Sequence, residues 1–118
     1  MNYRHAYHAG NHADVLKHWL LTRCIALLQK KAAPVAYVDT HAGIGLYDLQ
    51  GEEALKTDEW QEGIGRLWTS THPALADYLH AVRELNEDDE LRYYPGSPEV
   101  VRCLTRSQDH LYLNEKHP

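Results

Sequence analysis

The chain has 118 residues, with 12 Lys+Arg, 17 Asp+Glu, 9 His and 2 Cys, and a formal net charge of −5. That length suits one ordinary domain with a single core and excludes a multidomain enzyme. Two cysteines build no disulfide scaffold, so Cys24 and Cys103 read as free thiols of a reducing compartment.

The first ten residues look extended or irregular. Asn11 suits a helix N-cap, with Asp14 in the first turn where the helix dipole favours an acid. Val15, Leu16, Trp19, Leu20, Cys24, Leu27 and Leu28 then follow the i, i+3, i+4 rhythm of an amphipathic helix. Lys30 and Lys31 suit its C-terminal end, and Pro34 follows. Val35-Ala36-Tyr37-Val38-Asp39 is a continuous apolar run ending in an acid. It reads as a parallel strand buried on both faces. Ala42-Gly43-Ile44-Gly45 follows as a loop. Asp58 to Trp68 has helical spacing, weakened by Gly63 and Gly65. A firmer helix starts near His72-Pro73 and carries Leu75, Tyr78, Leu79, Val82 and Leu85 on one face, ending at Asn86 and the acidic run 87–90. Ser97-Pro98-Glu99 is a helix start with Ser97 as N-cap, and Val100, Val101 and Leu104 give that helix a buried face. Residues 110–115 form a second acid-terminated strand. The order helix, strand, helical segment, helix, strand opens an α/β sandwich with an insertion.

No apolar run is long enough to span a membrane, and no apolar segment of a signal peptide follows Met1-Asn2-Tyr3-Arg4-His5. The expected location is cytoplasmic. Charge is uneven. Residues 1–46 carry five bases and two acids, net +3, and five of the nine histidines. Residues 47–98 carry four bases and twelve acids, net −8, and residues 99–118 balance at zero. An anionic substrate can meet the first part without opposing the whole charge. The acids of the middle segment read mostly as a solvated helical surface.

Glycines directly after a parallel strand let a ligand approach the backbone closely. An acid ending the next strand can accept hydrogen bonds from ribose hydroxyls, a role open to Glu115. In a dinucleotide fingerprint that acid lies about 20 residues beyond the glycines. Here Glu115 lies 70 beyond Gly45, and the helical segment 47–96 accounts for the excess. A tight turn with a surface acid is the plainer reading of the same residues. The segment from Tyr3 to His12 interleaves tyrosines with cationic groups, as a single-stranded nucleic-acid contact does. His5, His8 and His12 also have metal-ligand spacing, but Gly10 and Asn11 interrupt a shared helical face and no His-Glu-x-x-His pattern follows. His72, His80 and His110 read as surface or capping residues. Lys17 and His18, neighbours on the first helix, point about 100° apart. One can face a ligand while the other borders the substrate path. The plainer alternative is a surface lysine and a half-buried histidine.

Four blocks carry a resemblance: Tyr3-Arg4-His5 with His8 through His18, Asp39-Thr40-His41-Ala42-Gly43, Arg92 through Pro98, and Leu113-Asn114-Glu115-Lys116-His117-Pro118. In this order they resemble the bacterial 23S ribosomal RNA adenine-N6 methyltransferases, some of whose relatives are described as involved in catabolism of external DNA. The resemblance covers the whole chain. It implies the N-terminal part of a class I, Rossmann-like methyltransferase domain that uses S-adenosylmethionine, with a small helical subdomain inserted after the first strand. Residues 1–46 and 97–118 would belong to the methyltransferase domain and 47–96 to the insertion. His18, His41, Gly43, Ser97 and Glu115 stand at the family's cofactor contacts, with Glu115 at the ribose. Tyr3 stands at the substrate-RNA contact, and His5 and Lys17 line the same region. The family carries a catalytic Asp-Pro-Pro-Tyr motif after a later strand, and none occurs in this chain. The chain is therefore expected to be an N-terminal segment, inactive alone. Two rival functions stand beside this: a non-catalytic RNA- or DNA-binding module using Tyr3, Arg4 and Tyr7, and a histidine-metal hydrolase.

Overall fold

The computed structural model describes residues 4–115. A 3-10 turn at His5–Tyr7 is the first element of the described residues, where an irregular segment was expected. Helix α1 (His12–Leu28) follows, and Asn11 caps it by accepting from the Asp14 N–H at 2.9 Å. Strand β1 (Ala36–Asp39) pairs in parallel with β4 (His110–Leu113), in the register Val38 opposite Tyr112.

Between them the chain makes a closed excursion. Strands β2 (Leu46–Asp48) and β3 (Tyr93–Pro95) pair antiparallel, with Leu46 opposite Pro95. The excursion therefore leaves and returns at one point. It holds α2 (Glu52–Thr57), α3 (Ile64–Leu67) and α4 (Ala76–Arg83), with 3-10 turns at Glu59–Glu62 and Pro73–Leu75. Helix α5 (Ser97–Leu104) then leads to β4. The domain is mixed α/β.

The core lies within the excursion and against α1. Tyr47, Leu49, Ile64, Tyr78, Leu79, Val82 and Tyr94 are buried together, with Val15, Trp19 and Trp60 packed on them. Strands β2 and β3 were not foreseen, being three residues each. The continuous helix expected from Asp58 to Trp68 is broken at Gly63, where the backbone meets another backbone. Ile64 N–H donates to the Gly10 carbonyl at 2.9 Å, and a Cβ on Gly63 would collide with that carbonyl.

Burial in α1 and β1 departs from the pattern of their apolar residues. In α1 the buried side chains are Asp14, His18, Thr22 and Ile25. Leu16, Leu20, Leu27 and Leu28 are exposed, Leu16 by 58%. The helix thus turns a largely polar stripe inward and much of its leucine stripe outward. The strand β1 is not buried on both faces. Tyr37 is half-buried toward α1 and α5, while Val38 on the other face is 66% exposed.

Arg106 ties these parts together. Its guanidinium donates to the carbonyls of Gln29, Lys31 and Ala33 and to both carboxylate oxygens of Asp109. Asp109 in turn accepts from the Val35 N–H at 2.8 Å. The end of α1 and the starts of β1 and β4 therefore share one clamp, and Arg106 beside Asp109 holds that carboxyl far below its ordinary range.

Candidate active site

The parallel pair β1 and β4 ends on one side in the segments 40–45 and 114–115. Gly43 adopts φ +69, a left-handed conformation that favours glycine. Its N–H donates to Glu115 Oε1 at 2.8 Å. The Ala42 N–H donates to the Asn114 carbonyl at 3.0 Å, which fixes the two segments side by side. Gly96 N–H donates to the Gly45 carbonyl at 2.9 Å and joins the glycine loop to the start of α5.

Ser97 is not the N-cap expected of it. Gly96 holds that position and Ser97 is the first helical residue. The Ser97 hydroxyl instead lies 3.1 Å from His18 Nε2, and His18 Nδ1 lies 2.7 Å from the Tyr94 hydroxyl. His18 is 1% exposed, so the half-buried histidine expected for a plain helix is not what occurs. Burial pushes its pKa down from 6.5 to about 4, against the pull of Asp14. The imidazole is neutral at neutral pH.

A third cluster gathers at the start of α1. His5 Nε2 lies 2.6 Å from Asp14 Oδ2, and the Gly10 N–H donates to the same oxygen at 3.0 Å. Lys17 Nζ lies 4.0 Å from Asp14 Oδ1. Burial alone would raise the Asp14 carboxyl, but His5, the nearby His18 and the Gly10 amide together outweigh it and hold it below its ordinary value. Tyr47 bridges this cluster to the loop. Its ring meets His5 edge-on at 5.3 Å between centroids, and its hydroxyl lies 3.3 Å from where a Gly43 Cβ would stand.

Gly43 and Glu115 are thus brought together, as are His18 and Ser97, and as are His5 and Lys17 around Asp14. His41 is exposed, and its contacts are with Thr40 and Asp39. Tyr3 lies outside the described residues. The basic N-terminus is not a separate surface either. Arg4 pairs with Glu53 at 3.8 Å and His8 with Glu59 at 2.7 Å, so acids of the middle segment meet bases of the first. Among the described residues no group of three or more His, Cys, Asp or Glu side chains stands ready to hold a metal ion. None of their helices is long and apolar enough to cross a membrane.

A family model described as "Ribosomal RNA large subunit methyltransferase D, RlmJ" matches residues 32–118. The chain belongs to this family. Two relatives named "Ribosomal RNA large subunit methyltransferase J" extend the match. That of Escherichia coli (strain K12) is 50% identical over 120 residues, covering all of this chain and 43% of the relative. That of Haemophilus influenzae is 47% identical over 121 residues, with the same coverage. The solved structure of protein LPL1258 from Legionella pneumophila superposes with a TM-score of 0.85 at 42% identity, over 93% of this chain and 41% of that one. The chain thus spans less than half the length of these relatives.

In this RlmJ-family chain three further residues, Asp14, Tyr78 and Tyr94, stand in the same clusters. Asp14, expected only as a dipole-matching acid of the first turn, is 3% exposed. Tyr78, expected on the apolar face of its helix, and Tyr94, expected only as part of the block from Arg92 to Pro98, are both fully buried. Their one visible signal is a hydroxyl at a core position, which demands a partner.

His18 makes the family chain acid-sensitive. Its folded pKa lies below its unfolded value, so the unfolded chain takes up the proton first. The stabilisation is complete above pH 6.5 and is lost as pH falls toward about 4, reaching about 3 kcal/mol. Asp14 acts lower, below 3.8, and in the same direction. Urea midpoints are expected to fall in the wild type as pH is lowered from 6.5 to 4, and to change much less in His18→Asn. A flat wild-type profile would refute the assignment.

Proposed function

We propose that this chain is the N-terminal, cofactor-holding part of a class I, Rossmann-like methyltransferase that methylates an adenine N6 of 23S ribosomal RNA with S-adenosylmethionine. The observation that carries this reading is the Gly43–Glu115 hydrogen bond at the carboxyl ends of two adjacent parallel strands. Ligands of open α/β sheets bind at that edge, with glycines for close approach and an acid for ribose hydroxyls. The closed excursion between Leu46 and Pro95 supports residues 47–96 as an inserted helical subdomain within a methyltransferase domain formed by 1–46 and 97–118.

The residues present suit the cofactor. Glu115 accepts from the ribose hydroxyls, Gly43 leaves room for the backbone to approach, and His41 borders the loop. His18 and Ser97 serve the polar end near the start of α5, where helix N–H groups favour a carboxylate. His5 and Lys17 face the RNA, with Tyr3 at the base contact, and Asp14 holds both in place. The cofactor supplies an electrophilic methyl group on a sulfonium. Catalysis by this fold is chiefly positioning of a flipped adenine against it. The acid and stacking aromatic that hold the base belong to the Asp-Pro-Pro-Tyr motif, which this sequence does not contain. Cytoplasmic location follows from an rRNA substrate.

Calorimetry of the intact protein with S-adenosylmethionine tests the reading. Saturable binding is expected, weakened about ten- to hundredfold by Glu115→Ala, as suits loss of a charged hydrogen-bond acceptor. Absence of binding heat would sink it. Salt-sensitive RNA or DNA binding without cofactor would favour the binding-module alternative.

A further inference from the structure

Four side chains from four elements form an unbroken hydrogen-bonded row. The Tyr78 hydroxyl on α4 lies 2.9 Å from the Tyr94 hydroxyl on β3. Tyr94 lies 2.7 Å from His18 Nδ1 on α1, and His18 Nε2 lies 3.1 Å from Ser97 Oγ on α5. Both tyrosines are 0% exposed. Burial raises both phenol pKa values, so each keeps its hydrogen. A neutral imidazole carries one N–H, and each hydroxyl carries one hydrogen.

These counts leave two directions for the row. If it points toward Tyr78, Ser97 donates to Nε2, Nδ1–H donates to Tyr94, and Tyr94 donates to Tyr78. The Tyr78 hydrogen then has no acceptor among the described residues, inside the core. Two donors aimed at Tyr94 would strand the Tyr94 hydrogen instead. A buried hydroxyl hydrogen without an acceptor is strongly disfavoured. If the row points toward Ser97, Tyr78 donates to Tyr94, Tyr94 to Nδ1, and Nε2–H to Ser97 Oγ. Every internal hydrogen then has an acceptor, and the Ser97 hydrogen is left to point out at the start of α5.

We propose that Tyr94 is a positioning residue which holds His18 as its Nε2–H tautomer, and so makes the Ser97 hydroxyl a donor toward a ligand carboxylate. Tyr78 completes the row from behind by donating to Tyr94. The tautomer stands on this geometry alone. The carboxylate, as the amino-acid end of S-adenosylmethionine, rests on the proposed function.

The test has two independent readouts on the intact protein. Long-range imidazole 1H–15N spectra of the ligand-free protein, with His18→Gln used for assignment, are expected to show a protonated Nε2 and an unprotonated Nδ1. Tyr78→Phe removes a core hydroxyl but keeps the donor to Nδ1, so it should preserve that pattern. Tyr94→Phe should abolish the single pattern and weaken S-adenosylmethionine binding about three- to tenfold, the effect of one neutral hydrogen bond. In a double-mutant cycle, Ser97→Ala should add little to Tyr94→Phe, because both act through one hydroxyl. A wild-type Nδ1–H pattern overturns the proposal, as does full affinity or an unchanged spectrum in Tyr94→Phe. Should that variant fail to fold, the wild-type and Tyr78→Phe spectra still decide the tautomer. Should the wild type bind no cofactor while Nε2–H is seen, the proposed function fails and the tautomer stands.

Discussion

Gly63→Ala is expected to destabilise the protein by about 3 kcal/mol, at the upper end of overpacking effects. Gly63 is buried, and a Cβ there would collide with the Gly10 carbonyl and stand 2.6 Å from the Asn11 carbonyl carbon. Both obstacles are backbone, so no rotamer change relieves them. The neighbouring Ile64 N–H to Gly10 carbonyl bond docks the excursion on the N-terminal segment and would have to open. Gly10 yields poorly. It sits at φ +76, and its own Cβ would stand 2.9 Å from Ile64 Cγ2. Because Gly10 leads into Asn11 and Asp14, the damage should spread to His5 and Lys17. Gly45→Ala is the control, since a Cβ there meets nothing within 4 Å. Urea unfolding of both variants decides the matter. A Gly63→Ala protein as stable as wild type would mean that this backbone contact does not form.

The second large effect concerns the 118-residue chain by itself. It is expected to transfer no methyl group to RNA above background and to self-associate in solution. The sequence has no Asp-Pro-Pro-Tyr, the motif that the proposed function assigns to holding the base, and the chain covers only 43% of the length of its curated relatives. Both strands of the parallel pair have an unpaired edge among the described residues. Val38 and Tyr112, opposite each other in register, are 66% and 55% exposed. Leu16, Leu20, Leu27 and Leu28 add apolar surface on α1. Bare strand edges and apolar faces pair with other chains. Methyl-transfer assays and analytical ultracentrifugation of the purified chain check the two halves. Robust transfer by a monomer would refute both.

Local patterns in the sequence carried most of the element list. Asn11 caps α1 because its short side chain reaches the Asp14 N–H, a bond set by residues three apart. The helix with Tyr78, Leu79 and Val82 on one face forms and buries those three, since its apolar stripe and its core face coincide. The two acid-terminated strands pair in parallel as expected. Other features depended on contacts far along the chain. Strands β2 and β3 are too short for periodicity to register, and they exist because Leu46 meets Pro95. The Arg106 clamp joins carbonyls more than seventy residues away and leaves no local trace.

The candidate site divides in the same way. Its residue types were legible in sequence: a glycine loop behind one strand, an acid behind another, and a histidine- and tyrosine-rich start. Their grouping was not. Helical periodicity says that α1 has two faces, but symmetry about the helix axis leaves open which face is buried. Only the packing of α4, β3 and α5 decided that Asp14, His18 and Thr22 turn inward. That choice brings His18 between Tyr94 and Ser97, and Asp14 between His5 and Lys17. Sequence alone determines the local backbone and the chemistry available, because both depend on near neighbours. The tertiary structure decides which of those groups share a proton or a charge, because that depends on distances of a few ångströms between residues far apart in the chain.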